Sequence, residues 1–155
     1  MSPKKAASKS ARKSSGKGEV FTAEERAAMK EYVKEKKAAH GGATAADDAK
    51  AVVAKIAAMS EPDRSMARRV HAIVMAAAPE LAPRLWYGMP AYSKDGKTIC
   101  FFQDAKKFKS RYATLGFSDK AALDDGKMWP IAYALQELTP TEEAKITALV
   151  KQAVS

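Results

Sequence analysis

Apolar residues recur along this chain first with a helical period and then with a strand period. Met29, Tyr32 and Val33 form an apolar stripe over about 22–39. Thr22, with Glu25 three residues on, opens that stretch as a capping box, and Gly41-Gly42 closes it. Thr44 and Asp47 repeat the start signal, and Ala49, Val52, Val53 and Ile56 follow at helical spacing. Ser60 and Asp63 open a third helix, with Pro62 in its first turn, where the missing N–H has no helical partner anyway. Met66, Val70, Ile73 and Ala77 form its buried face, and Pro79 stops it.

The period then changes. Residues 84–92 and 98–103 read as strands joined by Lys94-Asp95-Gly96-Lys97, since Asp-Gly between β-favouring runs is a strong hairpin signal. A third strand is expected around 108–117. Over 127–136, Trp129, Ile131, Tyr133 and Leu135 alternate with Pro130, Ala132, Ala134 and Gln136, which is period two. Pro130 places that strand at an edge or at its own start. Thr139, Pro140 and Glu142 cap a last helix with Ile146, Leu149, Val150 and Ala153 on one face. Three helices, about four antiparallel strands and one helix predict an α+β domain over 21–155, its helices packed on one face of the sheet.

The densest signal is residues 84–97, where Trp86, Tyr87 and Tyr92 gather around Gly88 and Pro90. As one strand, 84–92 puts Trp86, Gly88, Pro90 and Tyr92 on one face and Leu85, Tyr87, Met89 and Ala91 on the other. Both faces are apolar, so one covers the helices and the other needs a cover, a partner or a ligand. With Trp86, Tyr92, Phe102 and Tyr133 on the helix-free face, an aromatic patch forms, rimmed by Lys97, Lys107, Lys109 and Arg111. Such a patch suits a small anionic ligand, a nucleic acid or a protein partner. The alternative is ordinary core on both faces, closed by loops or by the first helix. Gly88 reads as a bulge or a close backbone approach, and Pro90 as a strand kink.

With Ala78-Pro79-Glu80-Leu81 before it and Lys97 to Phe102 after it, this segment resembles the signature of the YdhG-like family. Those are small bacterial proteins, some described as frataxin-like iron chaperones. The resemblance spans about residues 60–153 and rests on Trp86, Tyr87, Gly88, Met89, Pro90, Tyr92, Gly96, Lys97, Phe101 and Phe102. It implies a compact, cytoplasmic, non-catalytic α+β domain that needs no cofactor, with iron as its cargo. A frataxin-like iron site is expected to be a ridge of oxygen ligands on an early helix and the nearest strand. The first helix offers Glu24, Glu25, Glu31 and Glu35, interleaved with Arg26, Lys30, Lys34, Lys36 and Lys37. Its net charge is therefore positive and opposes cation binding. Asp124 and Asp125, ahead of Gly126, read as turn residues or as a small paired-oxygen site. The metal candidates are thus Glu31, Glu35, Asp124 and Asp125.

Charge adds a second candidate activity. Lys4, Lys5, Lys9, Arg12, Lys13 and Lys17 stand against Glu19 in residues 1–20, a net of +5, which leaves +4 of the total +9 to the other 135 residues. That segment has almost nothing to bury and is expected to be a disordered basic tail. It would either aid solubility or contact nucleic acid weakly and without sequence preference. Chemistry is sparsely signalled: there is no Gly-rich phosphate loop with its Lys, no His-Glu-x-x-His, no Cys-x-x-Cys and no Gly-x-Ser-x-Gly. The chain is accordingly read as a non-enzyme. His40 reads as a helix C-terminal residue and His71 as a packed boundary residue. The single Cys100, in Ile99-Cys100-Phe101-Phe102, reads as a small buried residue or a reactive thiol, and its lack of a disulfide partner favours a reducing cytoplasm. No apolar run approaches the roughly 20 residues that span a bilayer, so membrane insertion is not expected.

Overall fold

The computed structural model describes residues 21–155, which form four helices and five strands. In chain order they are α1 (Ala23–His40), α2 (Ala45–Ala57), α3 (Asp63–Ala77), β1 (Ala82–Trp86), β2 (Met89–Lys94), β3 (Lys97–Gln103), β4 (Ala113–Phe117), β5 (Ala132–Leu135) and α4 (Pro140–Ala153). The fold is α+β. All five strands pair antiparallel with their sequence neighbours, in the order β1-β2-β3-β4-β5. Residues 1–20, and with them Lys4, Lys5, Lys9, Arg12, Lys13 and Lys17, lie outside the described residues.

Local chemistry starts three of the helices. Thr22 accepts the Glu25 N–H at 3.0 Å while Glu25 accepts the Thr22 N–H at 2.9 Å. Thr44 with Asp47 closes the same reciprocal box, and Thr139 donates its N–H and its hydroxyl to the Glu142 carboxylate. Each cap stabilises its helix by about 1 kcal/mol. Helix α3 starts without a side-chain cap, at Pro62.

The aromatic stretch departs from its expected form. Residues 84–92 are two strands, because Tyr87 (φ 53°) and Gly88 (φ 78°) make a two-residue turn of the same left-handed kind as Asp95 (φ 52°) and Gly96 (φ 78°). Of the two readings of Gly88 the bulge is replaced by a turn, and Pro90, expected as a kink, sits in regular register opposite Leu85. The third and fourth expected strands are shorter than their patterns, starting at Ala113 and Ala132. Ahead of β5, Ile131 still accepts the Phe117 N–H at 2.8 Å.

The extra turn reassigns the sheet faces. Trp86 pairs with Met89 and Pro83 pairs with Tyr92, so alternation puts Trp86 and Tyr92 on opposite sides. Tyr92 pairs with Cys100, Cys100 with Phe117, Phe102 with Leu115, and Leu115 with Tyr133. These face the helices, where Val52 and Ile56 of α2, Val70 and Val74 of α3, and Ile146 and Val150 of α4 complete the core. Burying each such large apolar side chain contributes about 1.5–3 kcal/mol. Of the proposed open patch, Tyr92 and Phe102 are therefore core, as the alternative reading had it, and Tyr133 is half-buried against that core. The other side carries Trp86, Met89, Ala91 and Phe101.

Helix α1 also differs from its pattern. The expected apolar stripe is turned out, with Met29 41% and Val33 53% exposed, and only Ala28 of this helix is buried. Its inward contacts come from Glu31, Tyr32 and Glu35. Among the described residues no helix is long and apolar enough to cross a membrane.

One polar contact crosses the core boundary. His71 Nδ1 lies 2.8 Å from Tyr92 Oη, tying α3 to β2. Burial holds the His71 imidazole below its usual value of 6.5. A base depressed by folding binds fewer protons in the native state, so its contribution is complete above 6.5 and is lost as pH falls below it. His71→Gln is expected to flatten the rise of the urea midpoint between about pH 5 and pH 7. Parallel wild-type and variant profiles would refute this coupling.

Candidate functional site

The β1–β2 turn and the inner face of α1 bring aromatic and charged groups together beside a cleft. The successive N–H groups of Tyr87 and Gly88 donate to the Glu35 carboxylate at 2.9 and 2.7 Å, one to each oxygen. Adjacent backbone N–H groups in such a turn form a concavity suited to an anion. Tyr32 stacks on Tyr87 with ring centroids 4.3 Å apart and planes 10° from parallel. Trp86 lies edge-on to Tyr87 at 5.0 Å and tilted against Phe101 at 5.3 Å. One helical turn before Glu35, Glu31 pairs with Lys55 of α2 at 3.2 Å.

Between α1, α2 and β1 lies a cleft of about 420 Å³, lined by Tyr32, Glu35, Lys55, Arg84, Leu85 and Trp86 among others. Its charged lining is mixed: Lys34, Lys36, Lys55 and Arg84 face Glu31, Glu35 and Asp48. Lys36 Nζ also sits 5.4 Å over the Tyr32 ring. Burial works against the Glu31 carboxylate, but the hydrogen bond and charge of Lys55, together with the charges of Lys107 and Lys34, hold the group below its usual range. At Glu35 burial wins over the two amide donors, and the neighbouring Glu31 charge adds to it, so that carboxyl is pushed up.

Lys107, from the segment between β3 and β4, approaches the same turn. Its Nζ is shielded from solvent and has no hydrogen-bond partner. A Cβ built on Gly88 would lie 2.4 Å from that nitrogen and 3.1 Å from Glu31 Cγ, so glycine is needed there for space as well as for φ. The expected close backbone approach at Gly88 is thus present. Burial and the Lys55 charge hold the Lys107 ammonium below its usual value, against the pull of Glu31, Asp104 and Glu35.

The predicted binding residues are divided by this geometry. Trp86, Tyr87, Gly88 and Met89 stand at the turn, whereas Pro90, Tyr92 and Phe102 are buried and Lys97 closes the far hairpin opposite Lys94. Of the expected basic rim, Lys109 pairs with Glu24 at 2.8 Å and Arg111 lies over Tyr112. Tyr32, Lys55 and Arg84 are the residues that sequence reading missed. Phe101 was a signature position without a face, and the Tyr87-Gly88 turn is what sets it beside Trp86.

Of the metal candidates, Glu31 and Glu35 share the cleft, one paired with Lys55 and the other with the turn amides. Asp124 and Asp125 are exposed ahead of Gly126 and do not line it. Among the described residues no three His, Cys, Asp or Glu side chains group so as to hold a metal ion. Cys100 is buried, and burial pushes its thiol up to about 12, so it is a packed residue and not a nucleophile. No family model, curated protein or solved structure matches the chain.

Proposed function

We propose that this chain is a non-catalytic cytoplasmic binding module that holds a small aromatic anion in the cleft between α1, α2 and β1. The observation that carries the reading is the placement of Trp86 and Tyr32 in one cavity with Lys55 and Arg84. Aromatic walls supply contact area, and the cations supply charge and orientation, the usual division of labour in a ligand pocket. At about 420 Å³ the cleft falls in the range of small-molecule sites, roughly 300–1,000 Å³. The iron-chaperone reading draws less from this geometry, because both cleft glutamates already have partners.

Trp129→Phe leaves Trp86 as the only indole and so as the reporter. Titration with phenyl phosphate is expected to change its emission saturably, with Kd near 1 mM, about 4 kcal/mol for a ligand of this size. Phenol should bind more weakly, and Lys55→Ala should weaken phenyl phosphate about tenfold. Equal responses to phenol and phenyl phosphate would remove the anion from the proposal. No saturable response to either would remove the site.

A further inference from the structure

We propose that the Tyr87–Gly88 amide pair, with Lys107 beside it, is a phosphate-type oxyanion site that Glu35 occupies as an internal stand-in while α1 is docked. The amides meet Glu35 as they would meet a ligand, two donors on two oxygens at 2.9 and 2.7 Å. Glu35 leaves the site incomplete, because Lys107 Nζ is shielded from solvent with no hydrogen-bond partner. A buried ammonium without an acceptor is destabilising. A phosphate group carries more acceptor oxygens than a carboxylate, so it can satisfy both amides and Lys107 together. Gly88 keeps the space between them open.

The stand-in is displaceable because α1 is held by few groups. Its apolar Met29 and Val33 face away, and Ala28 alone is buried. Among the described residues its other ties include the Tyr32–Tyr87 stack and the Glu31–Lys55 and Glu24–Lys109 ion pairs. Such exposed or half-exposed ion pairs hold a helix only weakly, because solvent screens them. Gly41 and Gly42 (φ 90°) join α1 to α2, a link that tolerates a change of helix direction. Release of α1 uncovers the amides but also takes Tyr32 away from the cleft, so the two sites are used one at a time and this inference does not rest on the cleft reading.

The test is a titration of the full chain with inorganic phosphate at constant ionic strength, read by amide chemical shifts. In Glu35→Ala, the Tyr87 and Gly88 amides are expected to shift saturably, with affinity at least about tenfold above wild type, by removal of the competing anion. Adding Lys107→Ala should abolish that gain. Phosphate-insensitive amides at Tyr87 and Gly88 in Glu35→Ala, with core resonances of Leu115 and Val150 unmoved, would overturn the proposal. So would equal affinity in variant and wild type. Should Glu35→Ala not fold, Glu35→Gln carries the same reading, since it keeps an acceptor and loses the charge. Inorganic phosphate at the amides and phenyl phosphate at Trp86 report separately, so either reading can fail alone.

Discussion

Phe102→Ala is expected to destabilise the protein by about 3–5 kcal/mol, read as a lowered urea midpoint. The side chain is 1% exposed and lies in register with Leu115, within the cluster formed by α2, α3 and α4. Truncation removes its transfer free energy and leaves a cavity that a close-packed interior only partly fills. Had Phe102 stood on an open aromatic face, as the sequence pattern allowed, the loss would fall within about 0.5 kcal/mol, the usual range for surface positions. The variant therefore decides between core and ligand face. The folded variant should keep the phenyl phosphate response of Trp86, which lies on the opposite side of the sheet. A stability loss below about 1 kcal/mol would contradict the face assignment.

Gly116→Val tests the other side. A Cβ at Gly116 would lie 2.3 Å from Phe101 Cζ, with Cε2 at 2.7 Å and Cε1 at 2.8 Å. The Phe101 ring thus covers the backbone of its cross-strand partner, an aromatic resting on glycine. The backbone there needs no unusual φ, so space alone requires the glycine. Valine must displace the ring, and overpacking of this kind costs about 1–3 kcal/mol. Because Phe101 also packs on Trp86 at 5.3 Å, the Trp86 emission should shift at the same time. Unchanged stability with unchanged emission would show that Phe101 does not hold Trp86 in place.

These two variants bear on a difference of two residues. Asp95-Gly96 is legible as a turn because both residues tolerate left-handed backbone and the flanks are strand-like. Tyr87-Gly88 has the same geometry but an aromatic in its first position, amid an apolar run, so the stretch reads as a single strand. A strand alternates with period two, and a two-residue turn pairing Trp86 with Met89 moves Tyr92 to the other face. That one turn parts Trp86 from Tyr92, Phe102 and Tyr133, which still share a face with one another. The outward stripe of α1 has a related origin. Periodicity identifies Met29 and Val33 as one face of a helix, but not which face docks, and here turn amides select the carboxylate side.

The sequence by itself determined the kinds of element, their order, the starts of α1, α2 and α4 and the Asp95-Gly96 hairpin, because each depends on residues within a few positions of one another. It also determined that Trp86 belongs to the most unusual segment of the chain. Only the tertiary structure decided which aromatics line the cleft and what Glu35 does. Glu31 meets Lys55 across 24 residues, and Glu35 meets the turn amides across 52 and 53. Contacts so distant leave no local pattern, since they arise from how the sheet turns and where α1 is laid across it.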